Sequence, residues 1–158
     1  MKQKGIPIDT GAVELIGRHM LIAELIGDGI EAALPLRDRG VDLIAYLETH
    51  AETHRFYSIP IQLKAASGKS FSIDKKYAGI RNLLLVYVWG ASGAEAAREF
   101  YAMSYAQALE IMREMGYDKS ASWRLKGKYS TSVPSKNLIG RMQVRKMTRG
   151  CWTNLIVR

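Results

Sequence analysis

Cysteine is almost missing: Cys151 stands alone among 158 residues, so no internal disulfide can form and a reducing, cytoplasmic setting is expected. Long apolar runs are missing too. No stretch approaches the roughly 18 residues a membrane-spanning helix needs, so no membrane partner is expected. The N-terminus Met1–Ile8 is basic but has no apolar stretch of the kind a signal peptide carries. There is no G-x-S-x-G nucleophile element and no Rossmann glycine fingerprint. Acidic residues vanish after Asp118: the last forty positions hold ten Lys and Arg and no Asp or Glu. The first 118 residues then carry 13 basic against 15 acidic residues, so the net charge of +8 sits wholly in the last quarter. A focused positive field attracts polyanions, and a phosphate backbone is the natural one.

What is present reads as one α/β domain. Length and a 47% hydrophobic content suffice for a single core. Residues 9–27 have a cap in Asp9 or Thr10, helical spacing at Val13, Ile16, Met20 and Ala23, and a stop at Gly27-Asp28-Gly29. A weak strand is expected over 30–37, a turn at Asp38–Gly40, a strand over 41–48 and a hairpin connection over 49–55. The strand over 56–65 holds Pro60, which argues for an edge or a bulge because proline cannot donate to the ladder. A polar, basic loop follows over 67–76, with at most a single turn over 75–80. Residues 82–89 form an apolar run expected of a strand covered on both faces. Next come a short strand over 99–103 and a helix over 105–115, opened by the Ser104–Gln107 capping box and closed by Gly116. Residues 118–140 show no clear period, and short strands are expected at 141–146 and 151–157. The division anticipated is a core of 1–117 with a basic extension, 118–158, packed on the same domain.

The chemistry-bearing residues fall on these strands. Asp42 opens one strand. In the other, alternation puts Ile59, Ile61 and Leu63 on one face and Gln62 and Lys64 on the opposite one. A carbonyl oxygen able to meet a metal thus stands beside an ammonium, on a strand able to pair with the one holding Asp42. Phosphodiester cleavage needs that combination of hard oxygen ligands and a nearby cation. The helix acid taken to accompany them is Glu24, seven residues after Gly17 and so on the same helix face.

This order resembles the PD-(D/E)xK nuclease superfamily, especially small bacterial members related to restriction and homing endonucleases and junction resolvases. The likeness spans roughly residues 11–115 and rests on Glu24, Gly40-Val41-Asp42-Leu43-Ile44 and Ile61-Gln62-Leu63-Lys64-Ala65. It implies a restriction-endonuclease-like fold, a mixed central β-sheet flanked by helices. It also implies a divalent metal, Mg²⁺ or Mn²⁺, held by Asp42, Gln62, the backbone carbonyl of Leu63 and Glu24. Lys64 would orient or help deprotonate the attacking water or stabilise phosphate charge. Position 62 departs from the common pattern: Gln replaces an acid, and the cage loses one negative charge. The activity implied is metal-dependent DNA endonuclease, with a homodimer expected by analogy. The alternatives are a catalytically inactive DNA-binding module of the same fold, or a small α/β protein-interaction protein of the immunity or antitoxin kind.

Candidate DNA contacts are Lys69, Lys126, Lys128, Lys136, Arg141, Arg145, Lys146 and Arg149. Ser67-Gly68-Lys69-Ser70 ends like a phosphate-binding loop, but Leu63 stands where its first glycine belongs and no helix follows, so no nucleotide cofactor is expected. His50 and His54 have zinc spacing only if helical, and a solvated hairpin loop is the expected setting.

Overall fold

The computed structural model describes residues 8–49 and 55–157, the side chains of Glu48 and Thr49 excepted. Helix α1, Thr10–Gly27, begins where the Asp9 carboxylate accepts the Ala12 N–H at 2.7 Å. Every fourth residue from Val13 (Val13, Gly17, Leu21, Leu25) is buried, the stripe a one-sided helix needs. The strands are β1 (Glu31–Ala33), β2 (Leu43–Thr49), β3 (Arg55–Ala65), β4 (Phe71–Asp74), β5 (Leu84–Trp89), β6 (Glu99–Ser104), β7 (Lys128–Thr131) and β8 (Lys146–Met147). Six of them form a central sheet in the order β1-β2-β3-β5-β6-β8. Among the described residues only β3 and β5 run parallel; the other neighbours are antiparallel. The protein is therefore a mixed α/β fold whose mostly antiparallel central sheet is flanked by helices.

β5 is the middle of the molecule, and all six of its residues are buried. Leu84, Val86 and Val88 face a cluster with α1, Trp152 and Ile156. Leu85, Tyr87 and Trp89 face a second cluster, built with α2 (Tyr105–Glu114), α3 (Ala121–Lys126) and α4 (Lys136–Gln143). The C-terminal quarter thus feeds both clusters: Trp123, Leu138 and Met142 on one side, Met147, Trp152 and Ile156 on the other. Its last turns are clamped by Asp28, whose carboxylate accepts the Gly150 N–H at 2.7 Å and the Trp152 N–H at 3.1 Å.

Several local expectations are corrected. The stretch over 67–76 is not all loop: Phe71–Asp74 is β4, which pairs with β7 as a two-stranded ribbon beside the main sheet. Phe71 and Ile73 are buried while Ser72 and Asp74 are half-buried, a two-fold alternation too short to stand out from its polar flanks. Residues 118–140 hold α3, β7 and the start of α4. Residues 141–146 are the end of α4, a connection and the first residue of the two-residue β8, and 151–157 contain a short helix, α5, Thr153–Ile156, rather than a strand. The weak strand over 30–37 shrinks to Glu31–Ala33. Pro60 lies in a strand inside the sheet, yet β5 joins β3 only from Ile61 onward, so the missing N–H falls where β3 has β2 alone for a neighbour. The helix over 105–115 is present, with its capping box formed in both directions, Gln107 N–H to Ser104 Oγ and Ser104 N–H to Gln107 Oε1.

Between β3 and β5 the chain makes the β4 ribbon strand and then a 3₁₀ turn, Lys75–Gly79. Two side chains of β5 hold this excursion down: the Tyr87 hydroxyl donates to the Ser72 carbonyl and the Trp89 indole to the Ser70 carbonyl, each at 2.7 Å. The excursion carries Tyr77, and that decides the site.

Candidate active site

β2 and β3 are registered with Leu43 opposite Ile61. One step further puts Asp42 opposite Gln62, on the face where alternation also places Lys64. Asp42 enters this position from the Asp38–Gly40 turn, closed by Gly40 N–H to Asp38 Oδ1 at 3.0 Å. Gly40 has φ +88°, and a side chain there would meet Ile80 at 3.2 Å and Tyr77 at 3.4 Å, so the turn needs glycine both for its backbone and for the close approach.

The carboxylate of Asp42 is buried, 6% exposed. Its Oδ2 accepts the Leu63 backbone N–H at 2.7 Å and Gln62 Nε2 at 2.6 Å. An ionised carboxylate only accepts, so the Gln62 amide must present its NH₂ to it. The same NH₂ lies 3.2 Å from the Leu63 carbonyl. Burial pushes the Asp42 carboxyl up from its ordinary value. The Leu63 N–H pulls it back in part, the Asp38 and Glu14 carboxylates raise it further, and Arg18 lowers it. Among the described residues no cation pairs with Asp42.

Lys64, half-buried, donates from Nζ to the Tyr77 hydroxyl at 3.0 Å, and Nζ stands 4.7 Å from the centre of that ring. Among the described residues no carboxylate lies within ion-pair distance of it. Tyr77 is itself 3% exposed. Asp42, Gln62, Leu63, Lys64 and Tyr77 line one cavity of about 320 Å³, together with Glu14 and Lys76. It contains a buried carboxylate held by two N–H donors and a half-buried ammonium that donates to a hydroxyl, with no ion pair at either group among the described residues.

Glu24 is not among these lining residues. It sits toward the other end of α1, 3.5 Å from Arg149 Nη2, an ion pair that ties α1 to the C-terminal segment. The acid that α1 brings to the cavity is Glu14, which also pairs with Arg18 at 3.2 Å. Glu14 and Glu24 are ten residues apart, about 15 Å along the axis. Gly17 fixes which end is near: a Cβ there would stand 2.5 Å from the Ala65 Cβ, so α1 lies tight on the end of β3. Same-face spacing from Gly17 holds for both acids, and only the direction of α1 across β3 chooses between them. Tyr77 carried no signal at all in the sequence, since it reaches Lys64 through a turn thirteen residues on.

The basic residues divide. Lys128, Arg141, Lys146 and Arg149 have carboxylate partners, Asp74, Glu114, Glu99 and Glu24 respectively. Lys126 and Lys136 are exposed and Arg145 half-buried, while Lys69 Nζ lies 6.0 Å from the Trp89 ring centre. The Ser67–Ser70 segment runs into strand β4. His50 and His54 fall outside the described residues. No helix among them is long and apolar enough to cross a membrane.

A divalent cation of hard character needs oxygen donors. Among the described residues no three His, Cys, Asp or Glu side chains gather closely enough to make a metal site alone. The donor set here is one buried carboxylate, a backbone carbonyl and an amide. It fits such an ion when the Gln62 amide turns to present its oxygen. As it stands, the amide NH₂ lies between Asp42 Oδ2 and the Leu63 carbonyl, with its partial positive charge where a cation would be held. Compared with family models, curated proteins and solved structures, the chain matches none.

Proposed function

We propose that the protein is a metal-dependent DNA endonuclease of restriction-endonuclease-like fold, a Q-x-K member of the PD-(D/E)xK superfamily. One observation carries this reading: Asp42, Gln62 and Lys64, separated by up to 22 positions in sequence, share one cavity in which Asp42 accepts the Leu63 backbone N–H and the Gln62 side-chain amide, and Lys64 has no acid partner among the described residues. Asp42, the Leu63 carbonyl and the turned Gln62 amide would hold Mg²⁺ or Mn²⁺, with Glu14 rather than Glu24 as the neighbouring acid. The chemistry gained is acidification of the attacking water and neutralisation of phosphate charge.

The chain's own residues do the rest. The Leu63 N–H keeps Asp42 oriented whichever way the Gln62 amide is turned, and Tyr77 holds the Lys64 ammonium at the cavity, where it can donate to a non-bridging phosphate oxygen as charge builds there. Arg18, paired with Glu14, limits the repulsion between Glu14 and Asp42. The test uses supercoiled plasmid with Mg²⁺, with Mn²⁺ and with EDTA, beside Asp42→Ala and Lys64→Ala. Metal-dependent nicking, lost in both variants, is the expected result; no nicking in either metal rejects the reading.

The Gln62 amide also favours a second reading, a non-catalytic DNA-binding module. Its NH₂ satisfies Asp42 and the Leu63 carbonyl without an ion. Salt-sensitive DNA retention without nicking supports that module.

A further inference from the structure

Lys76 and Tyr77 stand where three cavities meet. The Asp42 cavity is flanked on one side by a hollow of about 310 Å³ that extends to Arg39, Gly40 and Ile80. On the other side lies a hollow of about 270 Å³ that extends to Ser72, Lys128 and Ser130. All three are lined by Lys76 and Tyr77 and so lie side by side, a trough of three adjoining hollows with Tyr77 as a shared wall. Charge is ordered along it. The acids Glu14, Asp38 and Asp42 line its middle, with Lys64 beside them; Asp38 also lines the Arg39 end and Asp74 the Lys128 end. Arg39 lines one end, Lys128 the other, and Lys76 runs between. At the Lys128 end, Ser72 and Ser130 face each other across the β4–β7 ribbon, offering two hydroxyls side by side.

The cations of this trough are freer than those of the C-terminal surface. Arg39 and Lys76 have no acid within ion-pair distance among the described residues. Lys128 is 3.6 Å from Asp74, too long for a hydrogen bond, and its side chain is 64% exposed. Asp74 caps the 3₁₀ turn through Oδ1, accepting the Lys76 N–H at 2.9 Å, and meets Lys128 only at that longer distance through Oδ2. By contrast Lys146 is hydrogen-bonded to Glu99 at 2.8 Å, and Arg141 to Glu114. A cation that already holds an acid contributes less to a phosphate.

We infer that the DNA backbone lies along the trough from Arg39 past Lys76 to Lys128, Ser72 and Ser130, and not over the C-terminal basic surface. This rests on the nuclease reading of the Asp42 cavity, since the trough passes that cavity. Contacts of this type position a duplex without reading its sequence.

The test measures binding of a labelled DNA duplex by fluorescence anisotropy in EDTA, across a range of salt. Two triple variants are compared, Arg39→Gln/Lys76→Gln/Lys128→Gln and Lys136→Gln/Arg141→Gln/Lys146→Gln. Each removes three positive charges, so the long-range field changes equally. Each phosphate contact contributes about 0.9 to the slope of log affinity against log salt. The trough triple should lower that slope by about 2 to 3, and the C-terminal triple by less than about 1. The opposite ranking, or equal losses, overturns the inference while leaving plasmid nicking by the wild type intact. A wild type that neither nicks plasmid nor binds duplex removes the nuclease reading and this inference together. Thermal melting of both triples checks that the fold is retained.

Discussion

Gly17→Ala tests what seats α1 on the sheet and so what brings Glu14 to the cavity. In a helix interior, alanine is favoured over glycine by about 1 kcal/mol. That gain is available wherever the added methyl meets nothing. At Gly17 it meets the Ala65 Cβ at 2.5 Å. Carbon atoms settle at about 3.5–4.0 Å, so the helix must lift from β3 by on the order of 1 Å. Both atoms are Cβ methyls fixed to backbone, and neither can rotate away. Overpacking of this kind costs about 1–3 kcal/mol. The balance is a net loss of up to about 2 kcal/mol, read as a lower urea midpoint with an unchanged slope. Gly140 supplies the control. It lies inside α4, and nothing lies within 4 Å of a Cβ built there. Gly140→Ala should therefore raise stability by up to about 1 kcal/mol. The same substitution in two helices then has opposite signs. Gly17→Ala combined with Ala65→Gly should recover most of the loss, because the second change removes the opposing methyl. If Gly17→Ala stabilises as much as Gly140→Ala, the close approach of α1 to β3 is not what places Glu14.

Three further outcomes are expected. Asp42 has a folded-state pKa raised from the ordinary 3.8, so the metal-free fold is favoured by its protonation. Stability should rise as pH falls through the window just above 3.8 and be lost as pH rises. Asp42→Asn should remove that component, and identical pH dependence of the urea midpoint in the two proteins would sink the assignment. Tyr77→Phe keeps the ring near Lys64 but removes the acceptor of its hydrogen bond. A bond to a charged group is worth about 1.5–3 kcal/mol, so kcat for nicking should drop about tenfold to a hundredfold with DNA affinity unchanged; an equal loss of affinity would point to a structural role. Gln62→Glu adds a carboxylate opposite Asp42, so calorimetry should find Mn²⁺ bound at least about tenfold more tightly and the metal-free protein less stable at neutral pH. Unchanged Mn²⁺ affinity would mean the position-62 side chain does not face the ion.

How much was legible in the chain follows the length scale of each signal. The Asp9 cap, the Ser104–Gln107 box and the continuous apolar run of β5 are complete within a few residues, and each reads directly. β4, α3 and β7 are only four to six residues long, less than a period pattern needs, and they exist because Phe71, Ile73 and Trp123 are buried against the second face of the sheet. The concentration of positive charge in the last quarter is a fact of order along the chain. In space it is partly an internal balance, because Asp74, Glu114, Glu99 and Glu24 come from the earlier part to meet it.

The sequence by itself determined the alternation that sets Gln62 and Lys64 on one strand face, the turn that delivers Asp42, and the helical face shared by Gly17 and Glu24, since each depends only on local backbone geometry. Tertiary structure decided which helix acid stands at the cavity, that a tyrosine rather than a carboxylate holds Lys64, and that the Gln62 amide lies between Asp42 and the Leu63 carbonyl. Those outcomes turn on the direction in which α1 crosses β3 and on where the Lys75–Gly79 turn is pinned. Both are set by side-chain contacts between segments that no local period links.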